Sequence, residues 1–179
     1  PRFIEQGFRT VCVDADFDYR KKITTVHTNN TFQEIDSYLK EHNAPICFFA
    51  NLVDYNYSLI KQPKKEDESA IFCAPKSKLK LKNELNFANA YSEWKASRMK
   101  KYNFFTGRFF NAFDLELNYK PHVIMITDLK ASAYTMLDIN TDCVQIAGRF
   151  RNGSDSLTHI YTTDKNLPTP SKDEIRTSL

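Results

Sequence analysis

The nine residues QIAGRFRNG, numbered 145–153, bring a glutamine, two arginines and two glycines together. The whole chain has only four glycines, so this segment holds half of them. Arginine binds phosphate oxygens through two parallel N–H bonds, and a neighbouring glycine lets a ligand approach the backbone closely. Arg149 and Arg151 are therefore candidate phosphate-binding residues, and Gly148 is the residue at which the chain is expected to turn. Surface salt bridges are the alternative role for the two arginines.

A second segment, NFFTGRFFNAFDLEL at 103–117, places a turn and a carboxylate after a strand. The strand is predicted to end at Thr106, Gly107 permits a sharp turn, and Asp114 follows inside an apolar run. Because ligands of parallel α/β sheets bind on the loops that follow the strands, this segment is the second candidate site. The four phenylalanines of FFTGRFF could stack on nucleic-acid bases, but rings that flank a strand are more often core; they are Phe104, Phe105, Phe109 and Phe110.

Other chemical patterns in the chain are weaker. The sequence contains no GxxxxGK[ST] phosphate loop and no GxGxxG, GxSxG or HExxH motif. Asp14 and Asp16 could serve a metal or an acid–base site, but no third ligand lies near them in sequence, so polar residues at a strand end are the favoured interpretation. Lysines alternate through 75–83, where a solvated edge or loop is favoured over a phosphate-binding stripe. No metal site is predicted.

Composition limits the class of protein. At 179 residues and 41% hydrophobic, the chain has the size and apolar content of one domain with a proper core. Its net charge of +3 permits a nucleic-acid or phosphate partner without requiring one. The four cysteines are scattered, which favours reduced thiols in a cytoplasmic protein over disulfides or zinc. No window is apolar enough for a membrane span, and the start PRFIEQGF is typical of a piece of a longer chain.

Short apolar runs alternate with amphipathic stretches, which predicts strands alternating with helices. The predicted strands are TVCVDA (10–15), KITTVHT (22–28), APICFFAN (44–51), AIFCA (70–74), NFFTG (103–107), HVIMITD (122–128) and LTHIYTT (157–163). The run at 44–51 is nearly continuous, as in strands buried on both faces of a sheet. We therefore expect a three-layer α/β domain with a mostly parallel sheet flanked by helices.

Three segments are predicted to be helical. They are TFQEIDSYLKEH (31–42), YNYSLIKQ (55–62) and ELNFANAYSEWKASRMKKY (84–102). In the first, Thr31 is the expected N-cap and Glu34 completes a capping box. In the second, Asp54 is the expected cap and Pro63 stops the helix.

The order of these motifs resembles the second RecA-like lobe of superfamily 2 helicases. In that family motif V has the form T-x-x-x-x-x-G-x-D-[IL], and motif VI has the form Q-x-x-G-R-x-x-R. The matching residues are Thr106, Asp114 and Leu115 for motif V, and Gln145, Gly148 and Arg149 for motif VI. PICFFAN, which ends at Asn51, resembles the motif IV strand, and KPHVIMITD takes the place of the strand between motifs V and VI. The resemblance covers about residues 44–153.

The resemblance implies a role for each matched residue. Arg149 would be an arginine finger that stabilises charge on the transferred phosphoryl group of ATP, and Arg151 is the candidate second finger. The residues implied at the ATP are Gln145, Gly148 and Asp114, and those implied at the nucleic-acid backbone are Asn51, Thr106 and Gly107. ATP and Mg²⁺ would be held mainly by a first lobe that this chain lacks.

The sequence departs from the family pattern at two places. The glycine of motif V is replaced by Ala112 or Phe113, depending on register. The second arginine of motif VI is expected where Asn152 stands, and Arg151 lies one place early. Arg151 can therefore be a second finger only if the helix is tightened or broken there. Otherwise it makes a salt bridge or a contact with a phosphate backbone.

The resemblance implies that residues 1–165 are the C-terminal lobe of a helicase, with 1–43 as the exit from the preceding lobe and 166–179 as a linker or frayed tail. Its partners would be single-stranded DNA or RNA and an N-terminal RecA-like lobe, with no membrane. The parent protein would be an ATP-dependent helicase, whereas this chain alone is expected to be inactive. The alternatives are a non-catalytic α/β module that docks protein or single-stranded nucleic acid, and a small-molecule enzyme that uses Asp14 or Asp16.

Overall fold

The computed structural model describes residues 5–7, 9, 11, 20–111 and 113–164, and in that part an entirely parallel seven-stranded sheet is flanked by four α-helices. The strands are β1 (Thr24–His27), β2 (Ile46–Phe49), β3 (Ser69–Phe72), β4 (Ala90–Tyr91), β5 (Tyr102–Phe105), β6 (His122–Thr127) and β7 (Ser156–Tyr161). The helices are α1 (Thr31–Glu41), α2 (Val53–Lys61), α3 (Pro75–Leu85) and α4 (Val144–Gly148). None of the four described helices is long and apolar enough to cross a membrane.

The strand order in the sheet is β1-β7-β6-β2-β5-β3-β4, and every neighbouring pair is parallel. The three-layer α/β class predicted from the sequence is confirmed, and the arrangement is consistent with a RecA-like lobe. The predicted strand at 10–15, apart from Val11, lies outside the described residues, and so do Asp14 and Asp16. The predicted tail at 166–179 also lies outside them.

The position of strand β2 inside the sheet explains why its sequence is a continuous apolar run. It is hydrogen-bonded to β5 on one side and to β6 on the other. Successive side chains of a strand point to opposite faces of the sheet, so Ile46 and Phe48 join one core while Cys47 and Phe49 join the other. All four are fully buried. On the first face, the ring of Phe48 stacks on Phe104 of β5 with centroids 4.5 Å apart.

Four of the five phenylalanines of the 103–117 segment are core residues, as the sequence favoured. They are Phe104, Phe105, Phe109 and Phe110, and all four are buried. Phe105 lies between two other rings, with centroid distances of 5.0 Å to Phe49 and 4.8 Å to Phe72. Phe104 packs in the core on the first face of the sheet and the other three pack on the second, so none of the four is available to stack on nucleic-acid bases.

The first two helices begin differently from the prediction. The N-cap of α1 is Asn30, whose side-chain oxygen accepts from the Gln33 N–H at 3.2 Å, so the predicted cap at Thr31 is wrong by one residue. Thr31 is instead the first helical residue, and its buried hydroxyl donates to Asp128. Helix α2 follows Leu52 and has no side-chain cap, whereas Asp54 forms a salt bridge with Lys80 at 2.7 Å.

The lysine-rich segment 75–83, predicted to be an edge or loop, belongs to helix α3. Pro75 opens the helix, where its missing N–H removes no hydrogen bond. Leu81 is fully buried on the sheet, which fixes the inner side of the helix. The helix ends at Asn86, whose φ of +52° is in the left-handed region.

The predicted long helix over 84–102 is wrong. That stretch contains the end of α3, the two-residue strand β4, a short 3-10 turn at Ala96–Arg98 and the first residue of β5. Strand β4 pairs in parallel with Ile71 and Phe72 at the edge of the sheet. The left-handed backbone at Asn86 breaks the helix before the apolar spacing of the following residues can continue it.

Candidate functional site

Three of the predicted site residues meet at the carboxyl edge of the sheet. Strands β2 and β5 are neighbours, so Asn51, which follows β2, lies beside Thr106 and Gly107, which follow β5. A Cβ at position 107 would overlap the side-chain oxygen of Asn51. Glycine therefore allows the Asn51 amide to lie directly against the backbone there. The structure brings together all three residues that were predicted to contact a nucleic-acid backbone.

The side chains at this edge also make hydrogen bonds that connect neighbouring elements of the fold. Thr106 is buried, and its hydroxyl donates to the carbonyl of Phe72, the last residue of β3, at 3.3 Å. The Thr106 backbone N–H donates to the same carbonyl at 3.1 Å. Asn51 is exposed, and its amide nitrogen donates to the carbonyl of Tyr134 at 3.2 Å. The ends of β2, β3 and β5 and the turn after β6 are thus fixed relative to one another.

Two basic side chains lie at the same edge. Burial raises the pKa of the Cys73 thiol, just after β3, to about 11, and the charges of Lys78 and Arg108 act in the opposite direction. Arg108 lies in the turn after β5 and Lys78 near the start of α3, which follows β3, so both stand at the carboxyl edge of the sheet. Neither forms a salt bridge within the described part of the chain. Arg108 stands inside the TGR sequence of the candidate motif, yet sequence reasoning gave it no role.

The second group of predicted residues lies where the two candidate segments are joined through their backbones. Leu115 and Phe150 form an isolated parallel bridge, and both side chains are buried. The Leu115 N–H donates to the Arg149 carbonyl at 2.8 Å, and the Arg151 N–H donates to the Leu115 carbonyl at 3.3 Å. The residues that match motifs V and VI are thus in direct contact.

Arg149 has three hydrogen bonds from its guanidinium group. Nε donates to the carbonyl of Gln145 at 2.9 Å, and Nη2 donates to the Gln145 side-chain oxygen at 3.0 Å. Nη1 donates to the carbonyl of Phe113 at 3.0 Å. Each terminal nitrogen keeps a second N–H that makes no hydrogen bond within the described part of the chain. The partly exposed guanidinium therefore holds the two segments together and can still donate to a ligand.

Arg151 makes the salt bridge that was one of its alternative roles. Its Nη2 lies 2.8 Å from Asp114 Oδ2, and the two side chains are 58% and 39% exposed. Asn152, which stands at the expected place of the second motif VI arginine, donates from its side chain to the carbonyl of Leu117 at 2.7 Å. Position 152 thus has a structural contact in this chain.

The glycine at 148 is not required by the backbone. Helix α4 ends there, as expected, but no atom lies within 4 Å of a Cβ built at that position, and its φ is not in the left-handed region. The left-handed glycine is Gly153, with φ +81°, and its N–H donates to the Phe150 carbonyl at 3.0 Å. The tight turn predicted at Gly148 is therefore at Gly153.

Two concavities flank the Asp114–Arg151 salt bridge. One has a volume of about 410 Å³ and is lined by Trp94, Arg108, Phe109 and Asp114, among others. The other has a volume of about 540 Å³ and is lined by Lys21, Val144, Gly148, Phe150 and Arg151, among others. Lys21 Nζ donates to the carbonyl of Ala147 at 2.6 Å on its wall. Cationic and apolar side chains share the second cavity, a combination that suits an anion with an apolar part.

A buried carboxylate after β6 was not foreseen from the sequence. Asp128 accepts hydrogen bonds from the hydroxyls of Thr31, Tyr55 and Thr162 and from the Ala131 N–H. Burial raises its pKa, but these donors lower it by more, so the pKa of Asp128 lies below its ordinary value. Within the described residues, no group of three or more His, Cys, Asp or Glu is arranged to hold a metal ion.

No family model, no curated protein and no solved structure matches this chain. The functional interpretation therefore depends on the motifs in the sequence and on the geometry described above.

Proposed function

We propose that this chain is the C-terminal RecA-like lobe of an ATP-dependent superfamily 2 helicase or translocase. The observation that carries the proposal is the direct contact between the segments that match motifs V and VI. Asp114 pairs with Arg151, and Leu115 bridges to Phe150. These contacts lie on an all-parallel sheet, the architecture that the motifs require.

The arginines have the chemistry to bind the phosphates of ATP. Arg149 keeps N–H donors beyond its internal hydrogen bonds, and Gln145 orients its guanidinium. Within the described residues, the Arg151 side chain pairs with one half-exposed carboxylate, and such pairs contribute little free energy, so a triphosphate can displace Asp114. When bound, Mg²⁺–ATP would supply the phosphoryl group that is transferred to water. This chain would supply the cations facing it, and the first lobe would supply the phosphate loop and the metal-binding acid.

The carboxyl edge has the chemistry to bind a phosphate backbone. Arg108 and Lys78 are cations without a salt bridge in the described part of the chain, and they stand at the same carboxyl edge of the sheet as Asn51 and Gly107. Because this edge and the Arg149 site are linked through the 106–117 loop, a change at the ATP could be transmitted to the nucleic acid.

The decisive experiment measures ATP turnover in a protein that contains this chain together with a first RecA-like lobe. Arg149→Ala should reduce turnover about a thousandfold or more and leave single-strand binding nearly intact. Arg149→Lys should also reduce ATP turnover, because an ammonium cannot reproduce the geometry of the guanidinium. Lys40→Ala is the control, because Lys40 is an exposed cation whose salt bridge with Asp36 lies within helix α1, on the opposite face of the sheet, so turnover should not change.

Circular dichroism of each variant separates loss of chemistry from loss of folding. Normal ATP turnover by a folded Arg149→Ala protein would refute the assignment of motif VI. The chain alone should hydrolyse no ATP, so magnesium-dependent turnover by purified residues 1–179 would also contradict the proposal.

A second candidate is a non-catalytic α/β module that docks protein or single-stranded nucleic acid. It is favoured by the three internal hydrogen bonds of Arg149 and by the structural contact of Asn152. In such a module, Arg149→Ala would lower thermal stability and no nucleotide-dependent property would change.

A further inference from the structure

The turn that follows β6 presents two large side chains to solvent. Tyr134 is 78% exposed and Met136 is 63% exposed. They alternate with Thr135 and Leu137, which are buried. The alternation shows that the side chains of Thr135 and Leu137 pack into the protein while those of Tyr134 and Met136 point into solvent.

Four hydrogen bonds fix the position of this turn. The Asp128 N–H donates to the Thr135 hydroxyl at 2.8 Å, and the Leu137 N–H donates to the Thr127 hydroxyl at 3.1 Å. The Tyr134 N–H donates to the hydroxyl of Ser132 at 3.2 Å. The Tyr134 carbonyl accepts from the Asn51 amide at 3.2 Å. Because the backbone that carries the Tyr134 ring is already fixed, a flat partner can stack on the ring without the cost of ordering the turn.

Tyr134 and two cations follow neighbouring parts of the sheet at its carboxyl edge, Tyr134 after β6, Arg108 after β5 and Lys78 after β3. The same Asn51 side chain lies against Gly107, which is followed by Arg108. Neither cation forms a salt bridge within the described residues. An exposed ring at the same edge of the sheet as such cations matches the alternation of bases and phosphates in a single strand.

We propose that Tyr134 is a stacking platform for a base of single-stranded nucleic acid, whose phosphates lie along Arg108 and Lys78. This inference rests on the proposed function and adds to it a residue outside the motifs. Met136 extends the platform on the same exposed side of the turn.

The exposed apolar residues further along the chain do not belong to the platform. Ile139 and Val144 are 59% and 58% exposed, but Asp138 and Asp142 stand among them. Acidic side chains repel phosphates, so the nucleic-acid surface ends before Asp138. Ile139→Ala is therefore a matched control that removes a comparably exposed apolar side chain.

The experiment measures binding of the purified chain to two strands by fluorescence anisotropy. One strand is an oligothymidylate of about 12 nucleotides, and the other is an abasic strand with the same number of phosphates. Tyr134→Ala should weaken binding to oligothymidylate about tenfold and leave binding to the abasic strand unchanged. Tyr134→Trp should keep the affinity for oligothymidylate, and Ile139→Ala should change neither affinity. Thermal unfolding checks that each variant is folded.

A salt titration of both strands separates the two proposals. Arg108→Gln should reduce the slope of log K against log salt by about 0.7 for either strand, because it removes one phosphate contact. If Tyr134→Ala binds oligothymidylate like the unmodified chain while Arg108→Gln lowers the slope, the platform is refuted and the backbone contact stands. Equal weakening of both strands by Tyr134→Ala would also refute stacking. Failure of the unmodified chain to bind either strand would refute the nucleic-acid part of the proposed function.

Discussion

Gly107 and Gly148 differ in what surrounds the position that a Cβ would occupy. At Gly107 the side-chain oxygen of Asn51 fills that space. At Gly148 the space is open to beyond 4 Å, and the residue is the last of helix α4. A Cβ at the first glycine must displace the end of the Asn51 side chain, whereas the second glycine is a residue of low helix propensity at a helix end.

Alanine substitutions should therefore have opposite effects at the two glycines. Gly107→Ala should force the Asn51 side chain to rotate and lose its bond to Tyr134, at a cost of about 1 kcal/mol. Gly148→Ala should be neutral or stabilising by up to about 1 kcal/mol. Urea denaturation of both variants measures the free energies of unfolding.

A double mutant tests the cause of the effect at Gly107. In an Asn51→Ala background the obstructing oxygen is gone, so adding Gly107→Ala should cost much less than it does in the unmodified chain. Equal costs in the two backgrounds would show that Asn51 does not restrict position 107.

At the scale of elements, helix α3 is defined by its two ends and by one buried residue. Pro75 begins it, Leu81 anchors it to the sheet, and Asn86 ends it in the left-handed conformation. After the turn, the Phe87 N–H donates to the Leu81 carbonyl at 2.9 Å, and the Phe87 ring is buried. The chain is thereby directed into the edge strand β4.

Substitutions at Asn86 should show how strongly this position requires a residue that tolerates the left-handed backbone conformation. Asn86→Gly should be neutral or slightly stabilising, because glycine adopts a positive φ without a steric penalty. Asn86→Val should destabilise the protein by about 1–2 kcal/mol, because a β-branched residue is strained there. Thermal unfolding compares them with Asn83→Val, an exposed helical position where only helix propensity, at most about 0.7 kcal/mol, should change. Equal effects of valine at 83 and 86 would contradict this account.

Six of the seven described strands were predictable because their residues are apolar and often β-branched. The run at 44–51 indicated burial on both faces, and β2 is buried on both. The sequence could not show that the lysines of 75–83 belong to a helix. Their alternating spacing is that of an edge strand, and only the packing of Leu81 against the sheet indicates a helix. Strand β4 has two residues, which is too short for a periodic signal. The prediction of one helix over 84–102 was wrong because β4 gives no such signal and because the left-handed backbone at Asn86 ends α3.

The candidate site was only partly predictable. The sequence identified Thr106, Gly107 and the residues around Arg149 by type and spacing, and they do cluster in space. Their partners were not predictable, because the contacts of Asn51 with Gly107 and Tyr134 depend on how distant segments pack. The exposure of Tyr134 is likewise set by tertiary structure, since nothing in its local sequence distinguishes it from a core aromatic residue.

At the scale of the whole molecule, Asp128 connects distant parts of the chain through its hydrogen bonds. It follows β6 and accepts hydrogen bonds from Thr31 at the start of α1, from Tyr55 in α2 and from Thr162 just after β7. These three donors surround one buried carboxylate. Removing an acceptor there leaves several buried hydroxyls without a partner, which costs more than an average hydrogen bond.

The charge of Asp128 should therefore control the stability of the protein in acid. Burial raises the pKa of Asp128 and its hydrogen bonds lower it by more, so its folded-state pKa lies below its ordinary value. The stabilisation is then fully present above the unfolded pKa of about 4 and is lost as the pH falls through the folded pKa. Asp128→Asn should lower the free energy of unfolding by about 2–4 kcal/mol at pH 7 and flatten its dependence on pH below about 4. Urea denaturation at a series of pH values measures both, with the exposed Asp36→Asn as a control that should change little. An Asp128→Asn protein that keeps the full acid dependence of the unmodified chain would mean that the stabilising carboxylate lies elsewhere.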